Sequence, residues 1–482
     1  MANPHQRTVV DPSASLHVND LGVVAFGPGD GENPRLWSIT RRWYCTISAI
    51  SLVVNSTFAS SSPSASLESL SEDFSSTREL SSLVISLFLL GFSAGPLIFA
   101  PLSEVYGRRW ILYWSFTGYL ALNFLCAFAP SLAALLVGRF LSGTFASAPL
   151  AIVPGLLVDL WTETDRGNAM AIYALMSLQG PALGPVISGF LEQEKDWRWT
   201  YYVLLWMGGF TALLMFTIPE TYPPAILAKK LRRLKTSRIR GYAGLQDPTR
   251  AQGISASGNI RVALSRPWRI LFDPISLMIT LYICVIYQLQ YMLFIIYPIV
   301  FRQQRGWAPG ISELPLIGTA VGGCVGAIGF FFISVRDRQK LRDRVALRPE
   351  DRLPLAMVGS IIFPASMFWF AWSANFISVH WLLPTVAGGV LSCSMILIFV
   401  AHLNYLTDTY SEYSASAVAA NVVCRAVCGA AAPLFTQSMF DALGVGGGGS
   451  LLGGVGVLLA PIPFLLFKYG ENIRSKSRFT SM

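Results

Sequence analysis

Twelve apolar runs punctuate this chain, at 43–62, 80–102, 110–129, 132–160, 168–191, 200–218, 272–301, 314–335, 353–372, 379–406, 415–440 and 450–467. A helix needs about 20 mainly apolar residues to cross a bilayer. Backbone in hydrocarbon must also satisfy its own hydrogen bonds, which leaves only helices and closed barrels. Runs of this length predict helices, so the expected fold class is an all-α polytopic membrane protein with twelve transmembrane helices. Composition agrees: only 13% of residues are charged and the mean hydropathy is +0.51, against about 25% charge in soluble domains. The first run is the weakest, because Asn55, Ser56 and Thr57 interrupt it. The seventh is long and carries Pro298 near its end, which predicts a kinked or unwound terminus.

Charge sets the expected topology, because Lys and Arg concentrate in short cytoplasmic loops. With the N-terminus inside, 29 of the 36 basic residues fall in inner segments and five in outer ones. Arg139 and Arg425 remain, each within an apolar run. Both termini are therefore expected in the cytoplasm. The longest inner loop splits the runs six and six. The chain then divides into a mostly disordered cytoplasmic tail (1–42), a first six-helix half (43–219), a basic cytoplasmic linker (220–270), a second six-helix half (271–468) and a cytoplasmic tail (469–482). The stretch "AILAKKLRRLK" at the start of the linker suits a helix lying on the inner leaflet, or a solvated linker held near anionic lipid. The net charge of +9 reads as a topology signal, and no nucleic-acid partner is expected.

Other features exclude alternatives. The first 40 residues lack the short apolar core of a cleavable signal, so the first run is expected to act as the insertion signal. The seven cysteines (45, 126, 284, 324, 393, 424, 428) have no zinc or thioredoxin-like spacing and read as packing residues. No metal or cofactor is expected. The segment "GVGGGGSLLGGVG" (444–456) lacks the Lys-Ser/Thr ending of a phosphate loop; it reads as a flexible outer turn entering the last run. Without a phosphate loop an ATP-driven pump is disfavoured, and without a clustered catalytic set the chain is not expected to be an enzyme. The glycosylation-like triplet "NST" (55–57) falls inside a span.

Charge placed against this apolar background marks the candidate site. The gap "SEVYGRR" between runs two and three holds Glu104, Arg108 and Arg109 around Gly107, which permits a tight turn. Arg139 sits mid-span, where arginine is costly and faces a cavity or a partner; an anchor to neighbouring helix carbonyls is the alternative to a role in proton coupling or substrate contact. No Asp or Glu lies mid-span, and His402 is the mid-span group that titrates near neutral pH. It is a candidate proton site, with simple packing as the alternative. Arg425 is a bundle anchor or a cavity charge. In "YQLQYMLFIIY" the residues Tyr287, Gln290, Tyr291 and Phe294 share one helix face. Amides and rings on such a face line a cavity or pack between helices. Met176 and Gln179 in run five are further candidates for the same lining.

These residues also carry a resemblance. "APLSEVYGRR" (100–109) is similar to the inner-loop signature of the major facilitator superfamily, with Ala100 for its first Gly and Glu104 for its Asp. "GRFLSG" matches the family's R-x3-G pattern at Arg139 and Gly143. "GPALGPVISG" resembles the antiporter signature at Gly180, Gly184, Pro185 and Gly189, with Ser188 where Gly is usual. "NPRLWS", "PETYPPAILAKKLRRL", "RPWRILFDPI" and "YLTDTYSEYSASAVAANVVCRAVCGAAAPLF" resemble the fungal branch of the twelve-span drug:proton antiporters. The resemblance implies two six-helix halves that rock around a central cavity. It implies that Glu104 meets the inner end of run eleven, that Arg108 pairs with Asp159 when the inner side is closed, and that run five packs on run eight as a seal against proton leak. It implies a proton-coupled exporter of small amphipathic compounds such as drugs, toxins or secondary metabolites, acting as a monomer among lipids in the plasma membrane. The vacuolar membrane is the alternative location. An organic-acid or polyamine carrier and a transporter-like nutrient sensor are the alternative functions; the short C-terminal tail speaks against the sensor.

Overall fold

The computed structural model describes residues 16–18, 24–27, 29–162, 165–236, 266–342, 348–410 and 414–477. A two-stranded antiparallel hairpin, β1 (Leu16–Val18) and β2 (Val24–Phe26), precedes the helices. The first helices are α1 (Ile39–Ser61), the short α2 (Leu67–Asp73), α3 (Arg78–Tyr106), α4 (Arg108–Ala127), α5 (Leu132–Leu160), α6 (Arg166–Glu194) and α7 (Arg198–Thr217). Then come α8 (Pro223–Thr236), α9 (Pro274–Pro298), the short α10 (Pro309–Glu313), α11 (Leu316–Arg342), α12 (Pro354–Asn375), α13 (Leu382–Thr409), α14 (Ser414–Leu459) and α15 (Pro461–Arg474). Residues 237–265, most of the expected linker, lie outside the described residues, as do 1–15 of the expected tail.

Among the described residues, ten helices are long and apolar enough to cross a membrane. The bundle exterior is apolar as well, with Trp114 73%, Phe272 74% and Leu458 78% exposed. Water would not tolerate an apolar surface of that extent, but lipid does. Helix α1 is long enough yet too polar to join the ten, and its packing explains why. It lies against α5, α6 and α7, with Asn55, Ser56, Thr57, Ser60 and Ser61 all buried. Each finds an internal partner or a carbonyl of its own helix: Tyr119 Oη donates to Asn55 Oδ1 at 2.7 Å, and Ser61 Oγ donates to Pro181 O at 2.6 Å. A helix surrounded by protein has no need of an apolar surface.

Helices α1 and α3–α7 form a first bundle, and α9 and α11–α15 a second. The bundles meet where α3 packs on α14 and where α6 packs on α10 and α11. Two faces result. A basic face carries the end of α3, the end of α5, α8 and the start of α12; the opposite face carries α2, α10 and the segment before it.

Three local outcomes refine the sequence reading. At Pro298, which cannot donate a backbone hydrogen bond, α9 widens into a π-helical turn (Ile299–Gln304). The glycine stretch 444–456 is not a flexible turn: only Gly444 (φ +68°) leaves helical geometry, and residues 445–459 are helical. Its glycines let α12 approach, since a Cβ on Gly449 would stand 2.4 Å from Ala371 Cβ and one on Gly456 2.8 Å from Phe363 Cδ1. Helix α8 buries Leu227, Ala228 and Leu231 and its Lys230 pairs with the buried Asp30 at 2.7 Å. Its apolar stripe thus covers protein near β2.

Candidate functional site

On the basic face the charged turn is a closed assembly within the first bundle. Gly107 joins α3 to α4 at φ +92°, a region that favours glycine. A Cβ there would also stand 2.5 Å from Glu220 Oε2. The Glu220 carboxylate caps the start of α4, accepting from Arg108 N at 3.0 Å and Arg109 N at 3.2 Å, and from Thr221 N and Tyr222 N. An anion at a helix N-terminus meets unpaired N–H groups and the positive end of the helix dipole. Arg108 Nε then reaches Asp159 Oδ2 at 3.3 Å, and Nη1 donates to Ser103 Oγ at 2.9 Å. Glycine at 155 makes room: a Cβ there would lie 2.8 Å from Arg108 Nη2. Tyr222 faces the Arg108 guanidinium with its ring at 4.8 Å, and burial pushes its hydroxyl above the usual tyrosine range, so it stays protonated. Arg109 Nε donates to Tyr113 Oη at 2.9 Å. Glu104 is exposed and makes no ion pair among the described residues. Residues 411–413, which lead into α14 where the sequence reading seeks its partner, lie outside them.

Deeper in, the two bundles share a layer of rings and hydroxyls. Ser60 Oγ and Tyr291 Oη are 2.7 Å apart, linking α1 to α9. Gln179 Nε2 donates to Ser392 Oγ at 3.2 Å, linking α6 to α13. Gly323 of α11 admits Gln179, because a Cβ there would fall 2.1 Å from its Nε2. Tyr291 stands 5.2 Å from Tyr287 and 5.6 Å from Phe294, centroid to centroid. Gln290 is buried in the same helix and Met176 half-buried in α6. Arg425 lies over the Tyr287 and Phe399 rings, 5.0 Å from each, with no carboxylate partner among the described residues.

The remaining candidates sit elsewhere. Arg139 is fully buried inside the first bundle; its Nε donates to Val84 O at 3.0 Å, its Nη2 to Ala59 O at 2.9 Å, and its guanidinium covers Phe88 at 4.0 Å. This is the anchor arrangement that the sequence left as an alternative. His402 is buried in α13, with Nδ1 2.8 Å from Ile398 O and its ring edge-on to Tyr282. The glycines of α6 divide between neighbours. Cβ atoms on Gly180 and Gly184 would stand 2.1 Å from Thr57 Oγ1 and 2.5 Å from Ser61 Oγ, both on α1. Gly189 alone of the three faces the second bundle, where a Cβ would meet Glu313 Cγ at 2.9 Å. Run eight (α11) packs on α6 where Gly323 meets Gln179, while Gly189 packs on α10, just before that run. Ser188, at the position usually Gly, donates its hydroxyl to the Ser62 carbonyl at the end of α1 and to the Gly184 carbonyl one turn earlier in its own helix.

Sequence reasoning passed over Glu220, Gly155, Ser60, Ser392 and Glu313. Glu220 stood in the quoted "PETY" string, and a lone carboxylate directly after Pro219 and shortly before Pro223 and Pro224 was the available signal. Ser60 and Ser392 offered none, since serines are common in buried helices.

Comparison with known proteins gives the family and the fold. The family model described as Major Facilitator Superfamily matches residues 47–433. The chain is 38% identical over 462 residues to "Efflux pump FUB11" of Gibberella moniliformis, covering 95% of this chain and 77% of that protein. It is 36% identical to "MFS-type efflux pump MFS2" of Trichophyton rubrum, over 99% and 82% of the two chains. It is also 36% identical to "Citrinin biosynthesis cluster MFS transporter mrr1" of Monascus ruber, over 96% and 93%. The solved structure of the proton:xylose symporter XylE superposes with a TM-score of 0.62 at 15% identity, covering 90% of this chain and 96% of that one, a likeness of fold. With its bundled helices, its interface layer of rings and hydroxyls and its charged turn, the chain belongs to the major facilitator superfamily.

Proposed function

We propose that the protein exports small amphipathic organic compounds across a membrane in exchange for protons, by alternating access. The observation that carries this reading is the interface layer: Ser60–Tyr291 and Gln179–Ser392 join the bundles, the Tyr287 and Phe294 rings lie against Tyr291, Gln290 is buried in the same helix and Met176 is half-buried on the helix of Gln179. Rings, amides and a thioether bind organic molecules without strict hydrogen-bond geometry. The efflux-pump names of two fungal relatives support the direction, and the biosynthesis-cluster name of a third supports a small organic substrate.

In this reading the polypeptide crosses the membrane twelve times, α1 and the two helices separated at Gly444 completing the set, in two halves over 43–219 and 271–468. The basic face is cytoplasmic, as are both termini. The membrane is the plasma membrane and the protein works as a monomer among lipids. The inner turn is a gate: Glu104 engages the start of α14 when the inner side closes, while the Arg108–Asp159 pair and the Glu220 cap hold the turn in shape. Arg139 anchors α1 and α3 to α5, which its two carbonyl bonds support. The packed glycines of α6 exclude a water path. His402 has one ring nitrogen committed to its own helix, which favours a packing role over a proton site. A second reading, transport of organic acids, draws on Arg425, whose charge faces the Tyr287 and Phe399 rings and no carboxylate among the described residues.

The test is expression in a fungal host lacking its own exporters, with a panel of amphipathic and acidic compounds. Accumulation should fall several-fold for some compounds and recover when a protonophore collapses the gradient. Lowered accumulation that survives the protonophore would remove the proton coupling; an effect confined to carboxylic acids would select the second reading.

A further inference from the structure

Charge also gathers on the face opposite the basic one, in a region that the gating and substrate assignments leave unused. Here α6 of the first bundle meets α10 of the second. Phe190 packs on Gly310, and the Glu313 side chain lies over Gly189. Glu313 is 2% exposed, its Oε2 has no hydrogen-bond partner, and it makes no ion pair among the described residues. It lines a polar cavity of about 230 Å³ together with Ser64, Glu68, Arg78, Arg302 and Gln303.

The charged groups facing it come from every surrounding element. Arg302 lies within electrostatic reach but commits its ion pair to Glu68, 2.6 Å away across the two bundles. Glu192, one turn beyond Gly189 on α6, accepts from Ser69 and leaves its buried Oε2 unpaired. Glu68 and Glu72 add negative charge around Glu192, and Arg78 adds a cation at the cavity wall. The carboxylates near this junction therefore outnumber its cations, and the most enclosed of them has no counter-ion in contact.

An unpaired carboxylate in such a place is very costly when ionised and cheap when protonated. The cost exists only while α6 and α10 are together; when the bundles part, water solvates the group. We propose that Glu313, assisted by Glu192, is a proton-binding site that must be occupied for the two bundles to close on this face. Proton uptake accompanies closure and proton release accompanies opening. The closed arrangement is then favoured at low pH and lost as pH rises through the closed-state value, because protons bind the closed form more tightly than the open one. The inference rests on the alternating-access reading above and adds to it which carboxyl senses the proton on this side.

The test reads conformation rather than transport. Spin labels carried on a non-natural amino acid at the exposed positions 75 and 308, one per bundle, leave the native cysteines in place, and electron–electron distances are measured on the full chain in lipid nanodiscs. The wild-type closed-to-open ratio should fall by up to about tenfold per pH unit between the open-state and closed-state proton affinities, the limit for one linked proton, and level off at higher pH. Glu313→Gln should stay closed at every pH, Glu313→Asp should restore the pH dependence, and Glu192→Gln should shift it to a smaller extent. Two distances whose ratio ignores pH, or a Glu313→Gln protein with wild-type pH dependence, would overturn the proposal while sparing the transporter reading. A single distance under all conditions, added transported compound included, would overturn both.

Discussion

The two charged faces of this protein solve opposite problems. On the basic face, Arg108, Asp159 and Glu220 all belong to the first bundle or to the segment that follows it, and each charge has a partner. The pair Arg108–Asp159 has side chains only 12% and 11% exposed. On the opposite face, Glu68 and Arg302 belong to different bundles and are 51% and 32% exposed, while Glu313 beside them is buried with Oε2 unbonded and no ion pair among the described residues. The first arrangement lies within one bundle and the segment after it and uses no contact with the other bundle. The second exists only while the bundles touch. Charge fully satisfied inside one rigid unit supports stability; charge shared or unsatisfied across a moving junction biases which state is populated.

That contrast can be broken in a graded series. Asp159→Ala leaves the Arg108 guanidinium enclosed without its carboxylate, and breaking a buried pair costs about 3–5 kcal/mol. The purified protein should show the largest drop in melting temperature of the series. Glu220→Ala removes the cap from α4 and should cost about 1–2 kcal/mol, a smaller drop measured in the same way. Glu68→Gln removes half of a largely solvated pair, worth about 0–1 kcal/mol. Its melting temperature should barely move, while the distance between positions 75 and 308 shifts toward the open form. A Glu68→Gln protein that melts below Asp159→Ala would invert the comparison.

Much of the fold was readable because the solvent imposes it. Hydrocarbon demands long apolar helices, so most run boundaries agree with the helices to within a few residues, as at 132–160 and Leu132–Leu160. Within the site the legible residues were those whose chemistry conflicts with their neighbourhood: charges at 104, 108 and 109, and arginines at 139 and 425. Two residue sets escaped. Ser60, Ser392 and Glu313 matter through what lies across an interface, and a linear pattern holds no record of a partner more than 200 residues away, as Tyr291 is from Ser60. The glycines of 444–456 were misread because local flexibility and close helix approach call for the same residue.

The sequence by itself determined the class of molecule, the number of apolar runs, the charge asymmetry of the loops and the turn at Gly107, because each follows from local chemistry: hydrophobic length, positive loops and a φ that glycine favours. Only the tertiary structure decided that Gly180 and Gly184 face α1 while Gly189 faces Glu313, that Glu220 caps α4 from beyond α7, and that α1 hides its polar residues inside the bundle. The reason is that helix packing selects neighbours by surface shape and by mutual satisfaction of polar groups. Both are properties of pairs of helices and belong to neither helix alone.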